Sequence, residues 1–332
     1  MASKLKIYIV RPTRNFLLFC LIQSFLFVYP LLPRKLLLYW HSLLFRPILF
    51  FNKGLRKQIS DNLEIAFGSE VALNRYHNLD YKLFDCLVKT FTDYIALCRK
   101  KSLDQFKKII TIQGENYLKE AHKKGNGVLC LVNHTPGWEF SAIMPPMMGY
   151  KTFGVSSKIK IASLNSTMIK LRESRGMINV NRDNCYEKLV NELKNGHCLI
   201  IMIDQDSKNI RGDFLNFFGK PAYTPLGCAR LAMETGAAVM PMNTYRNPDH
   251  TYIFKILPEI VFEHKSNQTD TLLHNTQRYN NVIESQILEY PEQWVWMHKR
   301  WNTTPETLKI FLEKKKKQKS ILSCRDKKRL NS

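Results

Sequence analysis

GNGVLCLVNHTPGWEF, residues Gly125 to Phe140, joins an apolar run to a histidine with a carboxylate five positions on. Val128 to Val132 follows a Gly-Asn-Gly turn and carries no charge, the pattern of a strand buried on both faces of a mainly parallel sheet. Thr135-Pro136 then offers a capping residue with proline at the first helical position, so a helix is predicted to begin there. His134 is thereby set at the carboxyl end of a strand, just outside a helix N-terminus, and open parallel sheets place their ligand crevices along that edge. A neutral imidazole there can accept a proton if its second nitrogen is held; Glu139, one turn inside the helix, is the expected orienting partner. The helix N-terminus also disfavours the imidazolium and keeps the ring available as a base. No serine or cysteine in the run is placed as a nucleophile, so the expected chemistry is direct, with the base activating an acceptor hydroxyl. The same residues admit a structural role, His134 closing a strand end and Glu139 serving as an ordinary first-turn acid. On spacing alone that role is preferred, because a His-x4-acid pair arises by chance in many chains.

Outward from this stretch, Thr152 to Ser156, Met177 to Val180 and Cys198 to Ile203 read as strands. Ser163 to Arg175 and Asn184 to Lys194 read as helices stopped by Gly176 and Gly196. Ala237 to Tyr245 and Thr251 to Leu257 read as two more strands, the last antiparallel and near an edge, and Asp270 to Tyr290 as a helix. The alternation predicts an α/β domain with a mainly parallel or mixed central sheet flanked by helices. Right-handed crossovers gather the loops at one edge, where His134 and Asp204, the first acid of Asp204-Gln205-Asp206, are both expected. Phe217 to Pro221 reads as a turn and Thr224-Pro225 as a second helix cap, a place where amides and Lys220 suit an anion, although most such turns are connectors. Arg75 to Arg99 reads as one or two amphipathic helices whose buried stripe is Leu83, Leu87, Phe91 and Tyr94.

Phe16 to Leu32 is almost wholly apolar, at the short end of what a membrane helix needs, and Pro33-Arg34-Lys35 is no signal-peptide cleavage site, so an uncleaved anchor is expected. Leu36 to Phe51 carries His41, Arg46 and Pro47 and is expected to lie along a membrane interface with Tyr39 and Trp40 at headgroup depth. Basic residues flank both sides of the first segment, so charge does not set its orientation. The chain has 332 residues and a net charge of +22, and its eight cysteines show no paired spacing, which argues against a zinc site or a disulfide framework and for a reducing compartment. From Lys309 the tail is basic, through KKKK and Asp326-Lys327-Lys328-Arg329, and is expected to be solvated, disordered or weakly helical. Anionic membrane, an acidic carrier protein and nucleic acid all suit this charge, and the apolar anchor selects the first two.

NHTPGWE resembles the His-x4-Asp/Glu signature of the glycerolipid acyltransferase superfamily. More narrowly, Asn62 to Phe67 (NLEIAF), Asp204 to Asp206 (DQD), Phe217 to Arg230 (FFGKPAYTPLGCAR) and Pro291 to Trp301 (PEQWVWMHKRW) resemble, in order, blocks of the lipid A lauroyl/myristoyl acyltransferases. The resemblance implies a glycerolipid-acyltransferase-like fold with an N-terminal membrane-anchoring helix, divided as 1–52 anchor and interfacial segment, 53–305 acyltransferase domain and 306–332 basic tail. It implies transfer of a fatty acyl chain from acyl carrier protein to a hydroxyl of a lipid A precursor at the inner membrane. The catalytic domain is then cytoplasmic, His134 attacks through the acceptor hydroxyl on a thioester, and neither cofactor, metal nor nucleic acid is called for. Other glycolipid or lysophospholipid acceptors, an acyl-CoA donor and a non-catalytic membrane-tethered binding protein stay open. The family's arginine matches Arg172, with Arg175 the wrong-register alternative. Asp204 is expected to hold that arginine against a lipid phosphate or the thioester oxyanion. Without the resemblance Arg172 is equally well a solvated helix-end residue. Asp206, Gly219 and Lys220 are further candidates for substrate contact, whereas the tryptophans of the last block and His298 read as structural.

Overall fold

The computed structural model describes residues 32–76, 78–97, 103–159, 161–182 and 184–316. The helices are α1 (Arg34–Phe51), α2 (Lys53–Phe67), α3 (Ser69–Tyr76), α4 (Leu79–Leu97), α5 (Leu103–Lys107), α6 (Glu115–Lys123), α7 (Trp138–Met147), α8 (Ala162–Glu173), α9 (Tyr186–Lys194), α10 (Gly227–Thr235) and α11 (Gln268–Glu289), followed by a helical segment at 305–316. The strands are β1 (Ile110–Gln113), β2 (Val128–Leu131), β3 (Thr152–Ser156), β4 (Met177–Asn181), β5 (Cys198–Ile201), β6 (Gly212–Phe217), β7 (Lys220–Pro225), β8 (Ala238–Arg246) and β9 (Tyr252–Ile256).

Seven strands form one sheet in the order β1-β9-β8-β2-β5-β3-β4, with every pairing parallel except β8 with β9. The fold is therefore α/β with a mostly parallel central sheet flanked by helices, and β2 lies at its middle. Burial on both faces explains the unbroken apolar run of β2: Leu129 and Leu131 enter one core with α9, α10 and α11, while Val128 and Cys130 enter the other with α4, α6 and α7. The antiparallel β9 is where the sequence puts it. The edge strand β1, in register with β9 from Ile110 against Tyr252, falls in a stretch to which the sequence pattern assigns no element.

Three local expectations need correction. The first helix after His134 begins at Trp138 rather than at Thr135, because the Thr135 hydroxyl donates to the Thr244 carbonyl (3.3 Å) instead of capping a helix. Thr224-Pro225 ends β7 and caps nothing; the next helix starts at Gly227, and residues 212–225 form an antiparallel hairpin. Its turn holds Phe218 at φ 52° and Gly219 at φ 72°, the two left-handed residues that a tight two-residue hairpin loop requires. Along α4, Leu83 and Tyr94 are buried and Leu87 is half-buried, but Phe91 is exposed. That helix instead buries Thr92 and Asp93 against α1, where His41 Nδ1 meets the Thr92 hydroxyl (2.9 Å) and Arg34 donates twice to Asp93 (2.7 and 2.9 Å).

Docked through those polar contacts, α1 turns an apolar face outward: Tyr39 is 64 % exposed and Leu44 65 %, with Trp40, Leu43 and Phe51 also exposed. Among the described residues no helix is long and apolar enough to cross a membrane. The anchor expected at Phe16 to Leu32 lies, up to residue 31, outside the described residues, as does the tail beyond residue 316.

Candidate active site

The loop between β2 and α7 is fixed from below by buried amides. The Asn133 backbone N–H donates to Asn243 Oδ1 (3.0 Å), and the Asn133 and Asn243 side chains both donate to Gln286 Oε1 on α11 (3.3 and 3.0 Å). Gly137 lies so close to β8 that a Cβ there would run into the Thr244 carbonyl oxygen, which accounts for glycine at that position of NHTPGWE. Both backbone groups of His134 are committed, the N–H to Asp204 Oδ2 (2.8 Å) and the carbonyl to the Val295 N–H (3.1 Å).

The ring itself is held by Asp204, since His134 Nδ1 lies 2.7 Å from Asp204 Oδ1 although the residues are 70 apart in sequence. Asp204 lies in the loop after β5, the immediate neighbour of β2, so the convergence expected at one sheet edge is present. This carboxylate is fully buried and also accepts from Trp294 Nε1 (2.8 Å). Burial alone would raise its pKa, but the charge and hydrogen bonds of His134, with the Trp294 donor, hold it well below the usual carboxylate range. An ionised Asp204 fixes the proton of His134 on Nδ1 and leaves the lone pair on Nε2 of a residue that lines the cavity.

Glu139 does not reach this pair. Its carboxylate takes Arg172 Nε on Oε2 (2.8 Å), and Arg172 Nη2 (2.6 Å) and Trp138 Nε1 (2.9 Å) on Oε1. The expected partnerships are thus exchanged: Asp204 orients the histidine and Glu139 holds the arginine. Burial works against the Arg172 charge, yet Glu139 more than restores it, and the guanidinium stays charged. His134, Glu139 and Arg172 all line one cavity of about 400 Å³, otherwise walled mainly by apolar side chains such as Met168, Ile200, Ile203 and Leu231.

The remaining candidates lie elsewhere. Asp206 places both oxygens on Thr303, on its N–H (2.6 Å) and hydroxyl (2.7 Å), as a strut between the two loops. Gly219 and the exposed Lys220 sit at the hairpin turn, and neither they nor Arg175 line the cavity. Conversely, residues to which the sequence assigns no chemistry surround Asp204. Asn62 donates to the Trp296 and His298 carbonyls (2.5 and 2.6 Å), which sets the turn that aims Trp294 at Asp204. Arg300, buried and pulled down by that burial to about 10, donates to the Tyr223 carbonyl (2.8 Å) and the Thr224 hydroxyl (2.7 Å) and lies over the Phe217 ring at 4.6 Å. His298, lowered by burial and then by the charge of His134, accepts from the Gln205 amide (2.7 Å). The four sequence blocks, NLEIAF, DQD, FFGKPAYTPLGCAR and PEQWVWMHKRW, are therefore one clamp around Asp204, and their shared signal is the clustering of polar residues among the aromatics of the last.

Over 195 residues, 57 % of this chain and 59 % of the relative, the sequence is 26 % identical to a phosphatidylinositol mannoside acyltransferase of Mycobacterium tuberculosis. Over 206 residues, 60 % of this chain and 63 % of the relative, it is 26 % identical to the lipid A biosynthesis palmitoleoyltransferase of Escherichia coli K12. A lipid A biosynthesis acyltransferase of Haemophilus influenzae is 23 % identical over 250 residues, 74 % of this chain and 75 % of the relative. The chain thus spans about three-fifths of the length of the first two. The family model described as bacterial lipid A biosynthesis acyltransferase matches residues 9–303, up to the Thr303 strut, and this chain belongs to that family.

Proposed function

We propose that the protein transfers a fatty acyl chain from a carrier thioester to a hydroxyl of a lipid A-type glycolipid. The observation that carries this reading is the His134 ring, held through Nδ1 by Asp204, at the wall of a largely apolar cavity. In this mechanism Nε2 takes the proton of the acceptor hydroxyl as its oxygen attacks the thioester carbonyl. The tetrahedral intermediate collapses with loss of the C–S bond, the imidazolium returns its proton to the departing thiolate, and an ester and a free thiol result. Arg172 serves the oxyanion: Nε and Nη2 are spent on Glu139, which leaves Nη1 without a hydrogen-bond partner among the described residues. Acyl carrier protein is the proposed donor and the inner membrane the proposed location, with the catalytic domain on the cytoplasmic side; the net charge of +22 suits an acidic carrier and a phosphorylated lipid. The outward apolar face of α1 supports contact with the bilayer.

A second acceptor is favoured by the mycobacterial relatives, whose names specify a phosphatidylinositol mannoside. Both readings are tested by incubating detergent-solubilised protein with acyl carrier protein thioester and either glycolipid and weighing the lipid products. One added acyl unit on a single lipid names the acceptor, and no acylation of any lipid by protein with an intact fold would sink the proposal.

A further inference from the structure

Two guanidinium groups line the catalytic cavity, Arg172 and Arg182, and one carboxylate, Glu139. Glu139 is fully engaged by Arg172, so the wall carries one positive charge in excess, that of Arg182. Its backbone is fixed, the N–H donating to the Ser156 carbonyl (3.3 Å) and the carbonyl accepting from the Cys185 thiol (3.2 Å). Its side chain is half-buried and makes no hydrogen bond or ion pair among the described residues. A partly desolvated guanidinium facing apolar walls is unfavourable unless an anion completes it. Position decides which part of a substrate that anion belongs to. Arg182 follows β4, the edge strand, and β3 and β5 separate β4 from β2. Three strand spacings place it about 14 Å across the sheet from the strand that delivers His134. That is too far to touch the oxyanion at the reacting carbonyl. It suits an anionic group that trails the reacting atoms along the cavity.

We infer that Arg182 is a substrate-phosphate site, its planar fork closing on a phosphate of the donor arm or of the lipid acceptor while His134 acts on the thioester and hydroxyl. The inference rests on the acyl-transfer reading and adds a residue that the sequence did not single out. The two arginines then have separate roles. Arg172, neutralised by Glu139, serves a charge that appears only during reaction, and Arg182 serves a charge present throughout.

The test compares wild type, Arg182→Ala and Arg182→Lys on two substrate pairs. One pair is an acyl carrier protein thioester against the same acyl chain on pantetheine, which lacks the phosphate. The other is a phosphorylated glucosamine disaccharide lipid against its dephosphorylated form. In wild type the phosphorylated member of one pair is expected to have the higher kcat/KM. In Arg182→Ala that preference should shrink by about 10- to 100-fold, through KM, with Arg182→Lys intermediate. The pair whose preference collapses identifies the source of the phosphate. Equal preference ratios in wild type and both variants, in both pairs, would overturn the assignment, and thermal melting with the lysine variant separates that outcome from misfolding. A wild-type protein that transfers no acyl chain would instead refute the acyl-transfer reading itself.

Discussion

Two buried carboxylates flank the cavity, and they differ in what they hold. Asp204 holds a group that can change its charge, His134, whereas Glu139 holds one that cannot, Arg172. The first pair can move a proton; the second is a fixed dipole with a donor to spare. Both acids follow the carboxyl ends of neighbouring strands, β2 and β5, at the same sheet edge, so residue type and position do not distinguish them. Partner chemistry does.

The largest expected effect breaks the first pair. Asp204→Asn removes the acceptor that keeps the His134 proton on Nδ1, and turnover should fall by roughly 10³-fold or more, close to or beyond the 10²- to 10⁴-fold expected for His134→Ala. Steady-state kinetics of both variants and of the double variant check this; a double variant no worse than either single one would confirm that the pair acts as a unit. Near-normal turnover in Asp204→Asn would dissolve the contrast between the carboxylates.

Next comes Glu139→Gln, which strands a buried guanidinium. Unfolding by urea should show a loss of about 3 kcal/mol, and turnover should drop by about 10²-fold as Arg172 loses its aim. Replacing the pair together, Glu139→Leu with Arg172→Met, should restore much of the stability without the activity, since a buried pair replaced by apolar groups is often neutral. Failure of stability to recover would mean that the pair does more than neutralise itself.

The pairs should also differ with pH. Because Asp204 is depressed in the folded protein, its contribution to stability is complete above its unfolded value, near 3.9, and is lost as pH falls towards the folded value. The stability gap between wild type and Asp204→Asn should therefore be constant from about pH 5 to 6 and shrink below about pH 4. Arg172 is raised from a value already far above neutrality, so its protonation adds no slope in that range. Urea titrations at a series of pH values would show both behaviours.

The smallest effect is predicted at the hairpin turn, which the sequence offers as a place for an anion. Lys220→Ala should change stability by less than about 0.5 kcal/mol and leave both kinetic constants unchanged, whereas Gly219→Ala at φ 72° should cost about 1 kcal/mol through strain alone. A marked rise in KM for Lys220→Ala would move the anion site back to the hairpin.

By itself the sequence determined what local physics controls. The apolar run of β2, the strand at Thr152–Ser156 and the helices stopped near Gly176 and Gly196 follow from periodicity and turn chemistry within a few residues. His134 at a strand end, and Asp204 at the same edge, follow from alternation and crossover handedness. Only the tertiary structure decided which acid meets which base. Glu139 is near His134 in sequence, but the start of α7 at Trp138 and the Arg172 side chain arriving from α8 take both its oxygens. Asp204, 70 residues away, comes into contact because β5 pairs directly with β2 and because Trp294 and Asn62, from the far ends of the domain, fix it there. Periodicity reports the faces of one element at a time, whereas a hydrogen bond between two loops depends on strand order and on side chains that compete for the same oxygens.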